Sequence, residues 1–206
     1  MNKNNITILD LLRHGELETK GLFCAMPDEP LSEKGMQDLI NITKNKQWDV
    51  LVSSPYARCR SFVITLNKEL GGNSISYNNA FQEMDFGRWM GVSAKQLWED
   101  EPEKLSQLWK APQDFIAPDG ESMKDFKKRV ERAVKELVNK HENQSILLVT
   151  HAGVIRSILS MVLAISPVSV LKFNIAYAQM IRLHCYSDGQ FSLQFSILAD
   201  ETNSCA

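Results

Sequence analysis

The chain has 206 residues, 44% of them apolar and 23% charged, with a net charge near −2. That length and composition fit one soluble globular domain spanning residues 1–206. The charge balance points to neither nucleic acid nor an anionic membrane as a partner, so any positive site must be local. The cysteines, Cys24, Cys59, Cys185 and Cys205, form no C-x-x-C pair and have no finger-like spacing with a histidine. No structural zinc is expected, and isolated cysteines fit a reducing cytosol. Met1 to Asn5 is polar with no apolar signal region behind it, and the apolar stretch from Val154 to Ile165 is broken by Arg156 and Ser157. It is too short and polar to span a bilayer, and the expectation is a cytoplasmic protein.

Ile6 to Leu12 reads as a buried strand, short and apolar. It ends at Arg13-His14-Gly15-Glu16. Gly15 to Pro30 shows no period and reads as a loop. Ser32 is placed to cap a helix running to about Lys46. Asp49 to Ser53 is a second buried strand, followed by Ser53-Ser54-Pro55 and a helix over Ala57 to Leu70 that carries Arg58 and stops at Gly71-Gly72. Ile75 to Tyr77 reads as a short strand. Phe81 to Gly91 reads as a structured loop, then Ala94 to Asp100 and Glu103 to Lys110 as short helices. Ser122 to Lys140 is the clearest amphipathic helix, with Phe126, Val130, Ala133, Val134, Leu137 and Val138 at helical spacing. Ser145 to Thr150 is the third buried strand, ending at His151-Ala152-Gly153, with a helix from Gly153 to Leu163. Ala178 to Tyr186 and Phe191 to Ala199 read as a terminal hairpin.

Strand and helix alternate, which predicts an α/β fold: a mostly parallel sheet, helices on both faces and an antiparallel C-terminal edge. Ligands of such sheets bind outside the carboxyl ends of the strands. Arg13, His14, Arg58 and His151 all sit at or just after strand ends, so the topology gathers them at one rim. Two planar guanidinium forks suit the oxygens of a phosphate monoester. His14 is the candidate nucleophile, with its second ring nitrogen held by a backbone carbonyl, and Gly15 clears the approach. His151 would steady the phosphoryl oxygens, helped by the helix that starts near Gly153. Such a quartet needs neither metal nor cofactor. The leaving alkoxide needs a proton, and Glu83, among aromatic residues and glycines, is the candidate donor. Asp85 is a rival, or a structural cap.

Arg13-His14-Gly15-Glu16, Ser53-Ser54-Pro55-x-x-Arg58, Glu83-x-x-Phe86-Gly87-x-Trp89-x-Gly91 and His151-x-Gly153 occur in an order that resembles the histidine phosphatase superfamily, relatives of cofactor-dependent phosphoglycerate mutases. The resemblance implies that His14 becomes phosphorylated, that Arg13, Arg58 and His151 form the phosphate pocket, and that Glu83 is the proton donor. Leu31 to Gly35, Arg58-Cys59-x-x-Phe62 and Pro118-Asp119-Gly120-Glu121-Ser122 look most like the α-ribazole phosphatase subgroup, which implies a late step of cobalamin assembly. One departure stands out: Leu17-Glu18-Thr19-Lys20 lacks the asparagine that many relatives carry there, which leaves one phosphate contact unassigned.

The expected function is a metal-independent phosphomonoesterase working through phosphohistidine on a small phosphorylated metabolite. The alternatives are a phosphoglycerate mutase and a non-catalytic phospholigand-binding protein of the same fold. Specificity is expected in Glu16 to Pro30 and Phe81 to Pro118. Trp89 and Phe86 are expected in the core. Arg88 is either a solvated loop charge or a substrate contact, His141 a helix-end cation, and Glu121-Ser122 a helix-start pair. The acidic run from Glu99 to Glu103 is expected as a solvated face.

Overall fold

The computed structural model describes residues 6–72 and 74–194. Six strands form one sheet: β1 (Ile6–Arg13), β2 (Val50–Ser53), β3 (Ile75–Tyr77), β4 (Ser145–Thr150), β5 (Met180–Tyr186) and β6 (Phe191–Gln194). Their order is β3-β2-β4-β1-β5-β6. The pairs β3-β2, β2-β4 and β4-β1 are parallel, while β1-β5 and β5-β6 are antiparallel. The predicted architecture is the one observed. Residues 195–199 of the expected hairpin lie outside the described residues.

The helices begin and end where local chemistry directs. α1 (Glu33–Thr43) is capped by Ser32, whose side chain accepts from Gly35 N. It stops short of Lys46 because Asn45 turns into the left-handed region, φ 60°. α2 (Ala57–Glu69) follows Pro55 and ends where Gly71 and Gly72 take φ of 92° and 87°. α3 (Ala94–Asp100) and α4 (Pro102–Lys110) are separated at Glu101, with Pro102 opening α4. α5 (Met123–Lys140) starts from Ser122, whose Oγ accepts from Asp125 N and donates to the Asp125 carboxylate at 2.7 Å. α6 (Ala152–Val162) leaves directly from β4, and a further turn, α7 (Pro167–Val170), was not expected from sequence.

Alternate residues of the sheet face two separate cores. Leu9, Leu11, Val52, Ile146, Leu148 and Leu183 pack with α3 to α6. Leu12, Leu51, Leu147 and Val149 pack with α1 and α2 through Leu39, Phe62, Val63 and Leu66. The period of two in these strands thus builds both layers. One charged group breaks the pattern. Asp10, fully buried on β1, accepts from Trp48 Nε1 at 2.7 Å and from Arg182 Nε and Nη2 at 2.7 and 2.8 Å. This two-pronged pair ties β5 to the sheet centre and raises the Arg182 pKa, first through the hydrogen bond to Asp10.

Replacing Arg182 by Leu leaves that carboxylate buried with only Trp48. The Arg182 side chain is 37% exposed, so the expected loss is about 2–3 kcal/mol, below the range for a wholly buried pair. Asp10→Asn in the same background should recover part of it. Urea unfolding midpoints of the single and double variants measure both.

Candidate active site

β1 and β4 lie side by side in parallel, with Arg13 opposite Thr150. Their exits diverge: β1 leads to α1 on one face and β4 to α6 on the other. A crevice opens where neighbouring strands send their connections to opposite faces. The residues that follow the last register pair are His14 and His151, and their ring centroids are 5.3 Å apart. His14 N donates to Thr150 O at 2.9 Å, which continues the sheet into the crevice. From β2, Ser54 N donates to Val149 O, and Arg58 on the first turn of α2 reaches the same place.

The expected carbonyl holds His14. Its Nδ1 lies 2.9 Å from Gly15 O, so Nδ1 carries the proton and Nε2 the lone pair. Burial first, then the Arg58 and Arg13 charges, keep its pKa well below 6.5. His151 is fully buried. Arg58 Nε donates to its Nδ1 at 3.4 Å, and its Nε2 lies 2.8 Å from Ser54 Oγ. Both nitrogens are therefore engaged in the neutral tautomer, and burial, then the Arg58 charge, holds its pKa well below 6.5 as well. His151 sits behind the cavity wall and orients Arg58.

The guanidinium groups are anchored by carbonyls. Arg13 Nη1 donates to Ile175 O at 2.6 Å, and its plane stacks on Tyr177 at 3.9 Å. Its Nε is buried with no partner among the described residues, a donor that suits an anion. Arg58 Nη1 donates to Met26 O at 2.7 Å.

Glu83 and Asp85 take different places. Asp85 Oδ1 accepts from Gly87 N at 2.8 Å and caps its own turn. Glu83 lines the cavity with Arg13, His14 and Arg58. Its Oε1 accepts from Met84 N at 3.1 Å and its Oε2 from Gly153 N at 3.0 Å. The start of α6, expected to face phosphate, holds the Glu83 carboxyl instead. A Cβ on Gly153 would overlap that carboxyl and push it aside. The loop before Glu83 is held by Arg129, which donates to Ala80 O, Gln82 O and Glu83 O and forks onto Glu121 at 2.7 and 2.9 Å. Thr150 Oγ1 also donates to Phe81 O.

Gly15 acts differently from expectation. A Cβ there would strike the backbone of Gly35, and one on Gly35 would strike Glu16. The two glycines let α1 pack against the histidine loop; clearing a route for substrate is not what the contact requires. Arg88 pairs with Glu101 at 3.1 Å and lies off the cavity. Glu101, read as part of a solvated run, also accepts from the buried Trp89 Nε1 at 3.0 Å. Trp89 is core, whereas Phe86 lines the cavity. His141 caps α5 and bonds Gln144. In the stretch that lacks the asparagine, Lys20 is exposed and pairs with Glu16 at 3.3 Å, while Thr19 reaches the cavity.

The cavity measures about 280 Å³. Its walls include the expected loops, through Leu22, Phe23 and Leu108, and also the unexpected segment from Pro167 to Tyr177. The thiols of Cys24, on the wall, and Cys59, behind it, are both pushed up to about 12, chiefly by burial, so neither is a ready nucleophile. Among the described residues no group of three or more His, Cys, Asp or Glu is placed to hold a metal ion.

A family model for histidine phosphatases (branch 1) matches residues 9–197. The chain belongs to the histidine phosphatase superfamily. Members of this superfamily are phosphatases or mutases. A 2,3-bisphosphoglycerate-dependent phosphoglycerate mutase of Parvibaculum lavamentivorans is 30% identical over 82% of this chain and 86% of its own. The adenosylcobalamin/alpha-ribazole phosphatase of Salmonella typhimurium is 27% identical over 80% and 84%. Among solved structures, the alpha-ribazole phosphatase of Shigella flexneri shares the fold with a TM-score of 0.78 at 22% identity, covering 91% of this chain and 94% of that one.

The two buried imidazoles leave a signature in stability. In the unfolded chain each titrates near 6.5. Below that pH the unfolded state takes up protons that the folded state refuses. Stability should therefore fall as pH drops below about 6.5, by up to about 1.4 kcal/mol per pH unit for each histidine. Urea midpoints from pH 7 to 5.5 check this, and His151→Gln should flatten the slope. A midpoint independent of pH over that window would contradict the neutral pair.

Proposed function

We propose that this chain is a phosphomonoesterase that works through a phosphohistidine, without metal or cofactor. The carrying observation is the unengaged Nε2 of a neutral, carbonyl-held His14 beside Arg13 and Arg58. Arg13 and Arg58 bind the phosphoryl oxygens, with His151 holding Arg58. Nε2 attacks phosphorus, the phosphorus–oxygen ester bond breaks, and Glu83 in its acid form protonates the departing alkoxide. The Nδ1–H bond to Gly15 O supports the charge that grows on the ring. Water then attacks phosphorus while Glu83, now a carboxylate, takes its proton. The phosphorus–nitrogen bond breaks, phosphate leaves and His14 returns to its starting tautomer.

The finer reading is hydrolysis of α-ribazole 5′-phosphate in cobalamin assembly by a cytoplasmic enzyme. The subgroup motifs and the likeness to the Salmonella typhimurium phosphatase support it. The buried free thiols fit a reducing compartment. A mutase would keep its phosphoenzyme from water and return the phosphoryl group to a second, highly anionic sugar acid. Leu108, Phe126 and Val170 on the cavity wall offer such an anion little, whereas Lys127 and Arg156 on the same wall suit it, so the assay of release against transfer decides between the two. A purely binding role does not call for the free Nε2 or the placed carboxyl.

A labelled phosphoester should leave an acid-sensitive label on His14, and His14→Ala should abolish it. Label on Ser or Cys would refute the mechanism. Because the imidazole is already neutral, labelling should persist at pH values below 6.5 for as long as the fold holds. A phosphoglycerate panel separates release of phosphate from transfer.

Glu83→Gln should slow phosphorylation by an alkyl phosphate by about 10²–10⁴-fold. It should slow nitrophenyl phosphate far less, since that phenolate leaves without a proton. Single-turnover bursts isolate this step. Equal losses for both esters would remove Glu83 from the acid role.

A further inference from the structure

The segment between α7 and β5 holds two of the cavity's arginines. Arg156 of α6 donates its Nε to Phe173 O at 3.1 Å, and Arg13 donates its Nη1 to Ile175 O at 2.6 Å. Those carbonyls lie two residues apart, and both arginines line the cavity. The same segment is stitched to the exit of β1. Arg13 N donates to Gln179 O at 3.0 Å, and Ala178 N donates to His14 O at 3.2 Å. Gln179 Oε1 accepts from Ala176 N at 2.6 Å, which closes the turn on itself. Within it Ala178 takes φ 54°, in the left-handed region that a residue with a Cβ seldom adopts. Strain of this kind persists where the surroundings over-determine it, and it gathers at functional sites. The residue that this turn presents is Tyr177. Its ring covers the Arg13 guanidinium, with Cζ 3.9 Å from the centroid, and lies 5.6 Å from the His14 ring. Tyr177 is 43% exposed and lines the cavity, so packing of the core does not call for an aromatic residue there.

We propose that Tyr177 is a positioning residue for Arg13, and that its ring fixes the plane in which the guanidinium meets the phosphoryl group. The inference rests on the phosphatase reading for the identity of that group, and its physical content is oxyanion affinity. An arginine side chain has many rotamers to lose when it grips an anion. Among the described residues Arg13 forms no ion pair with a carboxylate, and its hydrogen bond to Ile175 O alone leaves the plane free to swing about that contact. The attraction of a cation to an aromatic face removes the swing before the ligand arrives. Such preorganisation lowers the cost of binding. Arg58 is already buried and held by Met26 O and the His151 ring, with Tyr56 4.9 Å away, so Arg13 is the guanidinium with freedom to lose. Arg13 serves the phosphoryl group and not the departing alcohol, so the effect of Tyr177 is blind to the leaving group.

Two substitutions separate the aromatic face from the phenol group and from bulk. Tyr177→Phe keeps the face, Tyr177→Leu keeps only apolar volume, and the position is exposed enough to take either. Calorimetry with orthovanadate, a phosphate-like oxyanion, reads the pocket without turnover. Tyr177→Leu should bind it about tenfold more weakly than the native chain, and Tyr177→Phe within about twofold of it. In turnover the Leu variant should raise KM about tenfold with kcat nearly kept, as expected when ground state and transition state lose the same contact. The factor should be the same for an alkyl and a nitrophenyl phosphate, unlike the loss at Glu83. Undiminished vanadate affinity in Tyr177→Leu, or an equal loss in Tyr177→Phe, would overturn the positioning role. A loss confined to the alkyl ester would place the action of Tyr177 on the acid and overturn it as well. If vanadate responds as expected and no ester is hydrolysed, the phosphatase reading fails and the positioning of Arg13 stands.

Discussion

A buried guanidinium, Arg58, and a half-buried one, Arg13, lie beside two neutral imidazoles, and among the described residues no carboxylate forms an ion pair with either arginine. Their hydrogen bonds go to the carbonyls of Ile175 and Met26 and to the neutral His151 ring. Burying a charge without a counter-charge is costly. Here the cost falls on the imidazoles, which stay unprotonated, and on Arg13, whose own pKa is pulled down by burial. A phosphoryl group brings the negative charge that this arrangement lacks. Burial first, and then the same positive field that suits an anion, keeps the His14 lone pair free. In the proposed mechanism, anion binding and nucleophile activation thus draw on one arrangement.

The arrangement depends on backbone register more than on side-chain contacts. Parallel pairing of β1 with β4 sets His14 beside His151, and β2 on the far side of β4 brings in Ser54 and Arg58. The close approach of Gly15 to Gly35 fixes where α1 starts, and so fixes the loop that supplies the His14 tether. Glu83 comes from outside the sheet and needs its own support. Arg129 gathers three carbonyls of residues 80–83 and leans on Glu121. A loop carbonyl that would otherwise face solvent or go unpaired is therefore held, and Glu83 with it.

Much of this was legible in the chain. Short apolar runs ending in Arg-His-Gly, Ser-Ser-Pro and His-Ala-Gly gave strand ends, and strand ends in an α/β sheet share a rim. Glu83 was harder to separate from Asp85, because both lie in one loop and only the direction of the side chain tells them apart. Arg129 escaped notice because it flanks the apolar stripe of α5 and its partners are carbonyls 46 to 49 residues away. Ser157 and Ser160 were hidden in a helix apolar on most sides, where small polar residues carry no period. The wall from Pro167 to Tyr177 had no regular pattern to read, and Tyr177 earns its place only by stacking on Arg13. Lys20 shows the converse: a charged residue just after Arg-His-Gly-Glu that turns outward to Glu16.

α6 is the element that connects these parts. Its first turn follows His151, which holds Arg58. Its second residue, Gly153, donates to the Glu83 carboxyl, which a side chain at that position would push aside. Its next two turns present Ser157 and Ser160 to the same cavity. A helix is stiff at 1.5 Å per residue, so Gly153, Ser157 and Ser160 are held at fixed spacings along one axis, and the Glu83 carboxyl that Gly153 holds keeps its place relative to the rest of the wall.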